Sequence, residues 1–312
     1  MRWFLSCPAR VAFLGVLLLT FSSAVPARGG TGDGPPPRAQ LMISGSGWTG
    51  FLVKAWARTY EADHPDVRVK VRGSGTNSGI SAILSGQAEI AYDQRPLKSS
   101  EFRDARERGI VLAEYPVALD GIAVVINPAN PAVQATKAVV AGIFAGDLDQ
   151  WADLGGPRHK ISIYCQRPGS QAGVLFQAVV LGKRKPAEAC QVAAGPEALL
   201  RALEKDPYGI GYVRLSDVKG KEVKVLPIGQ GKGKAPLNPM RSGGNWINQA
   251  IVSAGEYPLT RTIYLHAARQ PRGNVKQFLD WILGPAGQLL LVKEGYIPLP
   301  GQLPAPPPDA FH

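Results

Sequence analysis

Val67-Arg-Val-Lys-Val-Arg-Gly-Ser-Gly-Thr-Asn-Ser-Gly-Ile-Ser-Ala-Ile-Leu84 decides how this chain is built. Val67, Val69 and Val71 alternate with Arg68 and Lys70, the period of a half-buried strand. Residues 73–78 then read as a Gly/Ser turn, and residues 79–84 as a short helix. Upstream the same order appears. Leu41-Met42-Ile43 is a strand and residues 44–50 are a turn. Residues 51–62 form an amphipathic helix with Phe51, Ala55 and Tyr60 near one face, and His64-Pro65-Asp66 stops it.

Downstream, residues 89–91 and 121–126 read as strands. Residues 161–164 are a strand, 167–170 a turn and 173–181 a helix. Residues 208–215 are a further strand, and 222–226 alternate charged with apolar side chains. Helices over 274–283 and 285–294 close the pattern. Strands alternating with helices predict an α/β fold with mostly parallel sheets flanked by helices. Ligands of such sheets sit at the carboxyl ends of the strands, in loops that open helices, where free backbone N–H groups favour anions.

The composition fits. Of 312 residues, 45 % are apolar and 19 % charged, a globular balance that excludes general disorder. Three Cys and four His exclude a disulfide-dense scaffold, and no metal-ligand spacing occurs, so neither a metal nor another cofactor is expected. Arg2 and Arg10 precede or abut an apolar run from Val11 to Leu19, followed by Ser22, Ser23, Ala24 and Ala27. That run is half the ~20 residues of a bilayer span, so residues 1–27 read as a secretory signal, cleaved after Ala24 or Ala27. Removing the two arginines takes the net charge from +11 to +9. The mature chain is expected in the periplasm or secreted, not membrane-spanning, and a monomer. Cys165 and Cys190 then remain, either as a disulfide or as two buried thiols. Residues 28–38 read as a linker, and the Pro-rich tail after 300 as a disordered end.

Three turns carry visible chemistry: Gly45-Ser46-Gly47-Trp48-Thr49-Gly50, Gly73-Ser74-Gly75-Thr76-Asn77-Ser78-Gly79 and Arg167-Pro168-Gly169-Ser170. Each follows a strand, precedes a helix and offers hydroxyls and unencumbered N–H groups. One such turn is an ordinary connector. Three in a basic chain point to a shared anion site.

Several stretches also match a known family. They are 73–80, Glu89-Ile-Ala-Tyr-Asp-Gln-Arg-Pro-Leu97, Asp120-Gly-Ile-Ala-Val-Val-Ile-Asn-Pro128 and Ala141-Gly-Ile-Phe-Ala-Gly146 with Trp151. Gly209-Ile-Gly-Tyr-Val213, Tyr257-Pro-Leu-Thr-Arg261 and Gly295-Tyr-Ile-Pro-Leu299 follow in the same order. Over about residues 39–300 the chain resembles the phosphate-binding proteins of ABC importers, type II periplasmic solute-binding proteins. The resemblance implies two α/β lobes joined by two crossovers and closing on a ligand. Lobe 1 would be 39–121 plus 225–312, and lobe 2 would be 122–224. The implied partners are a small anion, phosphate or a related oxyanion, and an ABC permease.

The resemblance also implies the ligand set Ser46, Gly47, Trp48, Gly75, Thr76, Asn77, Gln94, Arg167, Gly169, Ser170 and Gln171. Within it the chain departs from the family pattern. A family hydroxyl falls on Gly47, where Trp48 can still offer its N–H. The family Asp that accepts from a protonated phosphate oxygen falls on Gln94, with Asp93 beside it. The family Arg falls on Gln166, or on Arg167 after a one-residue shift. Pro168 stands where an acid often orients that Arg, and Gln171 and Ala172 replace a Gly and a Thr. Each lost donor would cost about 1–3 kcal/mol, together on the order of two to four decades of affinity. A carboxylate can only accept, whereas Gln donates or accepts, so discrimination against sulfate would relax.

Two other functions compete. A divergent family member could bind another ligand or act as an envelope interaction or sensing module. An enzyme would need a nucleophile constellation, but no Gly-x-Ser-x-Gly occurs and His64, His159, His266 and His312 are scattered. Nucleic acid is not expected despite a pI near 9.7, because the basic residues are dispersed apart from Lys183-Arg184-Lys185. Gly229 to Lys234 lacks the spacing of a nucleotide loop.

Overall fold

The computed structural model describes residues 39–45, 49–73, 76–218, 220–230, 234–241 and 247–299. The described residues fall within one compact unit, 37–312. The expected signal at 1–27, the linker at 28–38 and the tail from 300 lie outside the described residues.

The first strand, β1 (Ala39–Gly45), pairs in parallel with β2 (Val67–Gly73) and with β3 (Ile90–Asp93). Leu41, Ile43, Val67, Val69 and Ile90 turn into the core, as their period-two spacing requires. Helix α1 (Gly50–Asp63) covers the sheet with Leu52, Val53, Trp56 and Tyr60, all fully buried. Helix α2 (Thr76–Leu84) begins three residues earlier than expected. Helix α3 (Ser99–Glu107) then leads into β4 (Leu112–Ile126).

β4 starts nine residues before the expected Gly121. It pairs antiparallel with β11 (Thr260–Ala268) from Leu112 to Gly121 and with β8 (Gly209–Arg214) from Ile122 to Ile126. One strand therefore joins two groups of parallel strands. The second group is β8, β6 (Ser162–Cys165) and β7 (Gln191–Val192). The full order is β2-β1-β3-β11-β4-β8-β6-β7, and β9 (Lys224–Val225) also pairs with β4. Of the alternating stretch 222–226, Lys224 and Val225 form β9.

Between β4 and β8 lie β5 (Ala135–Thr136), α4 (Lys137–Ala145), α5 (Gln171–Phe176) and α6 (Pro196–Lys205). α5 continues as a π-helical turn over Gln177–Leu181. β5 pairs with β10 (Ile228–Gly229). The short α7 (Gln249–Ser253) precedes β11, and α8 (Gly273–Leu283) and α9 (Pro285–Lys293) end the described fold. These last helices pack on α1. The Tyr60 ring lies 4.9 Å from Phe278 and 5.6 Å from Trp281, and Trp56 Nε1 donates to the Gly287 carbonyl at 2.9 Å. The first and last described elements thus pack on the same half of the sheet. Trp151 is fully buried, as expected of a core residue, and Trp246 lies outside the described residues.

Candidate ligand-binding site

Parallel pairing brings the carboxyl ends of β1, β2 and β3 side by side. Gly45 is opposite Gly73 on one neighbour and Tyr92 on the other. The connections that follow these strands hence leave the sheet at one edge. Ser46, Gly47, Trp48 and Gly75 lie outside the described residues. Thr76 and Asn77 open α2, whose first-turn N–H groups have no partners within the helix.

Gln94 follows β3 and is half-buried, its N–H donating to Asp93 Oδ1 at 2.7 Å. Asp93 is buried and its other oxygen is 3.5 Å from Arg95 Nε. Arg95 also grips Glu101 in a two-pronged pair at 2.7 and 2.9 Å. That hydrogen bond holds the Glu101 carboxyl below its ordinary range and pushes Arg95 up. Asp93, the last residue of β3, is therefore engaged by a cation two residues on, and Gln94 follows the strand.

On the other side of β4, β6 delivers the Gln166–Ser170 turn. Cys165, the last residue of β6, is disulfide-bonded to Cys190 with a Cα separation of 5.9 Å, which settles the choice between a bridge and two thiols. Gln166 is 4 % exposed, and its Nε2 has no hydrogen-bond partner. Arg167 is exposed. Gly169 takes a left-handed conformation, φ 82°, and turns the chain into α5. Ser170 caps that helix. Its Oγ accepts from the Gly173 N–H at 3.1 Å and donates to the Arg167 carbonyl at 2.7 Å. A cavity of about 380 Å³ lies against this turn, between Gln166, Gly173, Phe176, Leu181, Cys190 and Tyr212. Its walls carry no Lys or Arg, so it is poorly suited to an oxyanion.

A family model for the PBP superfamily domain matches residues 31–286. The chain belongs to the PBP superfamily. Among curated relatives, protein SphX of Synechococcus elongatus is 28 % identical over 276 residues, covering 85 % of this chain and 79 % of SphX. Phosphate-binding protein PstS of Pseudomonas aeruginosa is 25 % identical and covers 84 % of each chain. Among solved structures, one described as a possible phosphate-binding protein from Planctomyces limnophilus superposes with a TM-score of 0.74. It is 25 % identical and covers 84 % of this chain and 94 % of that one. The two-lobed α/β fold expected from the sequence is the PBP superfamily fold.

The sequence reading of this PBP superfamily member missed one buried cluster. Arg214, at the end of β8, is 6 % exposed. Its Nε donates to Asp120 Oδ1 at 3.2 Å, Nη1 to the Glu294 carbonyl at 2.9 Å and Nη2 to the Gly295 carbonyl at 2.8 Å. The guanidinium lies 4.4 Å over the Tyr296 ring. Burial works against its charge, but Asp120, Tyr296 and Asp217 outweigh burial and hold the guanidinium above its ordinary range. Burial pulls the Asp120 carboxyl up while Arg214 pulls it back, and Oδ1 also accepts the Gly121 N–H at 2.9 Å. Gln171 joins the same cluster. Its Oε1 accepts from Arg214 Nη1 and its Nε2 donates to the Tyr296 hydroxyl, both at 3.1 Å. Asp120 and Tyr296 stood inside motifs quoted for the resemblance, but a lone Arg after an apolar strand gave no signal of burial.

Among the described residues no group of three His, Cys, Asp or Glu side chains can hold a metal, and no helix is long and apolar enough to cross a membrane.

Proposed function

We propose that this protein is the solute-binding component of an ABC importer and that its ligand is phosphate or a related oxyanion. The observation that carries the proposal is the presence of strand ends followed by helix starts on both sides of β4. Gly45, Gly73 and the start of α2 stand on one side, and the Arg167–Ser170 turn on the other. The names of the PstS relatives support phosphate as the ion. In this reading lobe 1 is residues 39–121 plus 225–312, lobe 2 is 122–224, and β4 with the 214–225 segment crosses between them. The protein is exported, works as a monomer in the periplasm or outside the cell, hands its ligand to a permease, and catalyses nothing.

Ser46, Gly47, Trp48, Gly75, Thr76 and Asn77 form the lobe 1 face in this account, with Gln94 at the depth of the cleft. Arg167, Gly169 and Ser170 form the lobe 2 face. Ser170 Oγ already spends its only proton on the Arg167 carbonyl. To donate to an anion it must rotate and release that carbonyl, a net loss of about 1 kcal/mol. The exposed Arg167 supplies the long-range attraction.

A second oxyanion is favoured by one observation. Asp93 is paired with Arg95, and the position where the resemblance puts a proton-accepting carboxylate is Gln94, whose amide can donate as well as accept. Calorimetry with phosphate, arsenate, sulfate and molybdate separates the two. Phosphate binding at micromolar affinity or tighter, weakened in Thr76→Val and Ser170→Ala, supports the first reading. Preference for sulfate supports the second, and no heat with any ion rejects both.

A further inference from the structure

Gln171 stands at the first position of α5, directly after the 167–170 turn. Both ends of its carboxamide are occupied by side chains far away in sequence, Arg214 and Tyr296. Arg214 is in turn fixed by Asp120 and by the carbonyls of Glu294 and Gly295. Gly295 has a φ of 77°, and a Cβ there would lie 2.7 Å from Ser216 Oγ and 3.1 Å from Arg214 Nη1. The backbone can therefore wrap the guanidinium this closely only with glycine at that position. Asp120 immediately precedes Gly121, the last β4 residue paired with β11, and Ile297 pairs with Leu119 of the same strand. The cluster thus sits where β4 changes partner.

We propose that Gln171 is a positioning residue that fastens the lobe 2 ligand turn to lobe 1 through Arg214 and Tyr296. This rests on the two-lobe reading given above. Within it, Gln171 and Arg214 belong to lobe 2, while Asp120, Glu294, Gly295 and Tyr296 belong to lobe 1. An amide held at both ends does not swing toward a ligand without stranding a buried Arg donor. Gln171 acts on affinity through the turn at 167–170, by holding the start of α5 at a fixed distance from the crossover. The length of the Gln side chain is what reaches the hub.

The test is amide hydrogen exchange in the ligand-free full mature chain, read on the peptide spanning 167–176, alongside calorimetry with inorganic phosphate. In Gln171→Leu that peptide is expected to exchange about tenfold faster while peptides elsewhere are unchanged, and phosphate binding weakens about tenfold, or ~1.4 kcal/mol. Tyr296→Phe gives a smaller acceleration, and the double variant is no faster than Gln171→Leu alone. Gln171→Glu, which keeps the acceptor for Arg214 and accepts from the Tyr296 hydroxyl where Gln donates to it, restores slow exchange. Unchanged exchange in Gln171→Leu overturns the proposal, as does acceleration spread evenly over the protein. Loss of phosphate binding with unchanged exchange also overturns it, because Gln171 would then touch the ligand. The exchange arm needs no ligand, so it stands or falls separately from the assignment of phosphate.

Discussion

Gly79 of α2 lies directly against Gly45 at the end of β1. A Cβ on Gly79 would lie 2.8 Å from the Gly45 Cα and 2.8 Å from the Ser44 carbonyl oxygen. Both obstacles are backbone and neither can turn aside. The contact sets how closely α2 approaches the end of β1.

Gly79→Ala must therefore push α2 off β1. The expected loss is about 1–3 kcal/mol, the range for overpacking a filled site, read as a lower urea midpoint with an unchanged slope. Anion affinity falls with it. Gly86, where an added Cβ meets nothing but φ is 71°, is the control: its alanine variant loses stability through backbone strain while leaving anion affinity unchanged.

Arg214→Met leaves the Asp120 carboxyl buried without its cation, and the Glu294 and Gly295 carbonyls without donors. Breaking a buried pair from one side costs about 3–5 kcal/mol. Chemical denaturation of Arg214→Met should show a loss of that size. The Arg214→Met/Asp120→Asn double variant should recover part of it.

His266 is fully buried on β11, opposite Ala91 of β3 and Glu114 of β4, with Tyr264 beside it. Burial, then the charge of Arg95, brings its pKa down from 6.5 to about 4, while Glu101 pulls weakly the other way. The unfolded chain therefore binds a proton on this group before the folded one does. Stability is complete above pH 6.5 and is lost as pH falls from there toward 4, by about 3 kcal/mol in all. His266→Gln should flatten that part of the stability profile relative to the parent. Identical profiles in urea titrations between pH 7 and 4 would contradict the assignment.

The Cys165–Cys190 bridge closes a sequence separation of 25 residues. It should contribute about 3 kcal/mol through the unfolded chain. A Cys165→Ala/Cys190→Ala variant is expected to melt at lower temperature. It should also show faster amide exchange at the end of β6, where the ligand turn begins.

Much of the fold was legible because its signals are local. The alternation of Val67, Val69 and Val71 and the Gly/Ser turns after the strands were enough to expect parallel pairing and an α/β class. β11 was not legible, since its polar Thr262 and fully buried His266 blur the period that Ile263, Leu265 and Ala267 keep. The first nine residues of β4 were missed because Glu114, Tyr115 and Pro116 interrupt the apolar run. In the candidate site, Ser170 and Gly169 stand in the turn where the motif put them. The side chain of Gln171 reaches partners 43 and 125 residues away, and no spacing in the sequence could announce that.

The most direct measurement is a calorimetric titration of the mature chain with inorganic phosphate, after unfolding and refolding to strip any bound anion. The account predicts one phosphate per chain at micromolar affinity or tighter, weakened by Thr76→Val and by Ser170→Ala. Absence of heat from a folded, stripped chain would contradict it.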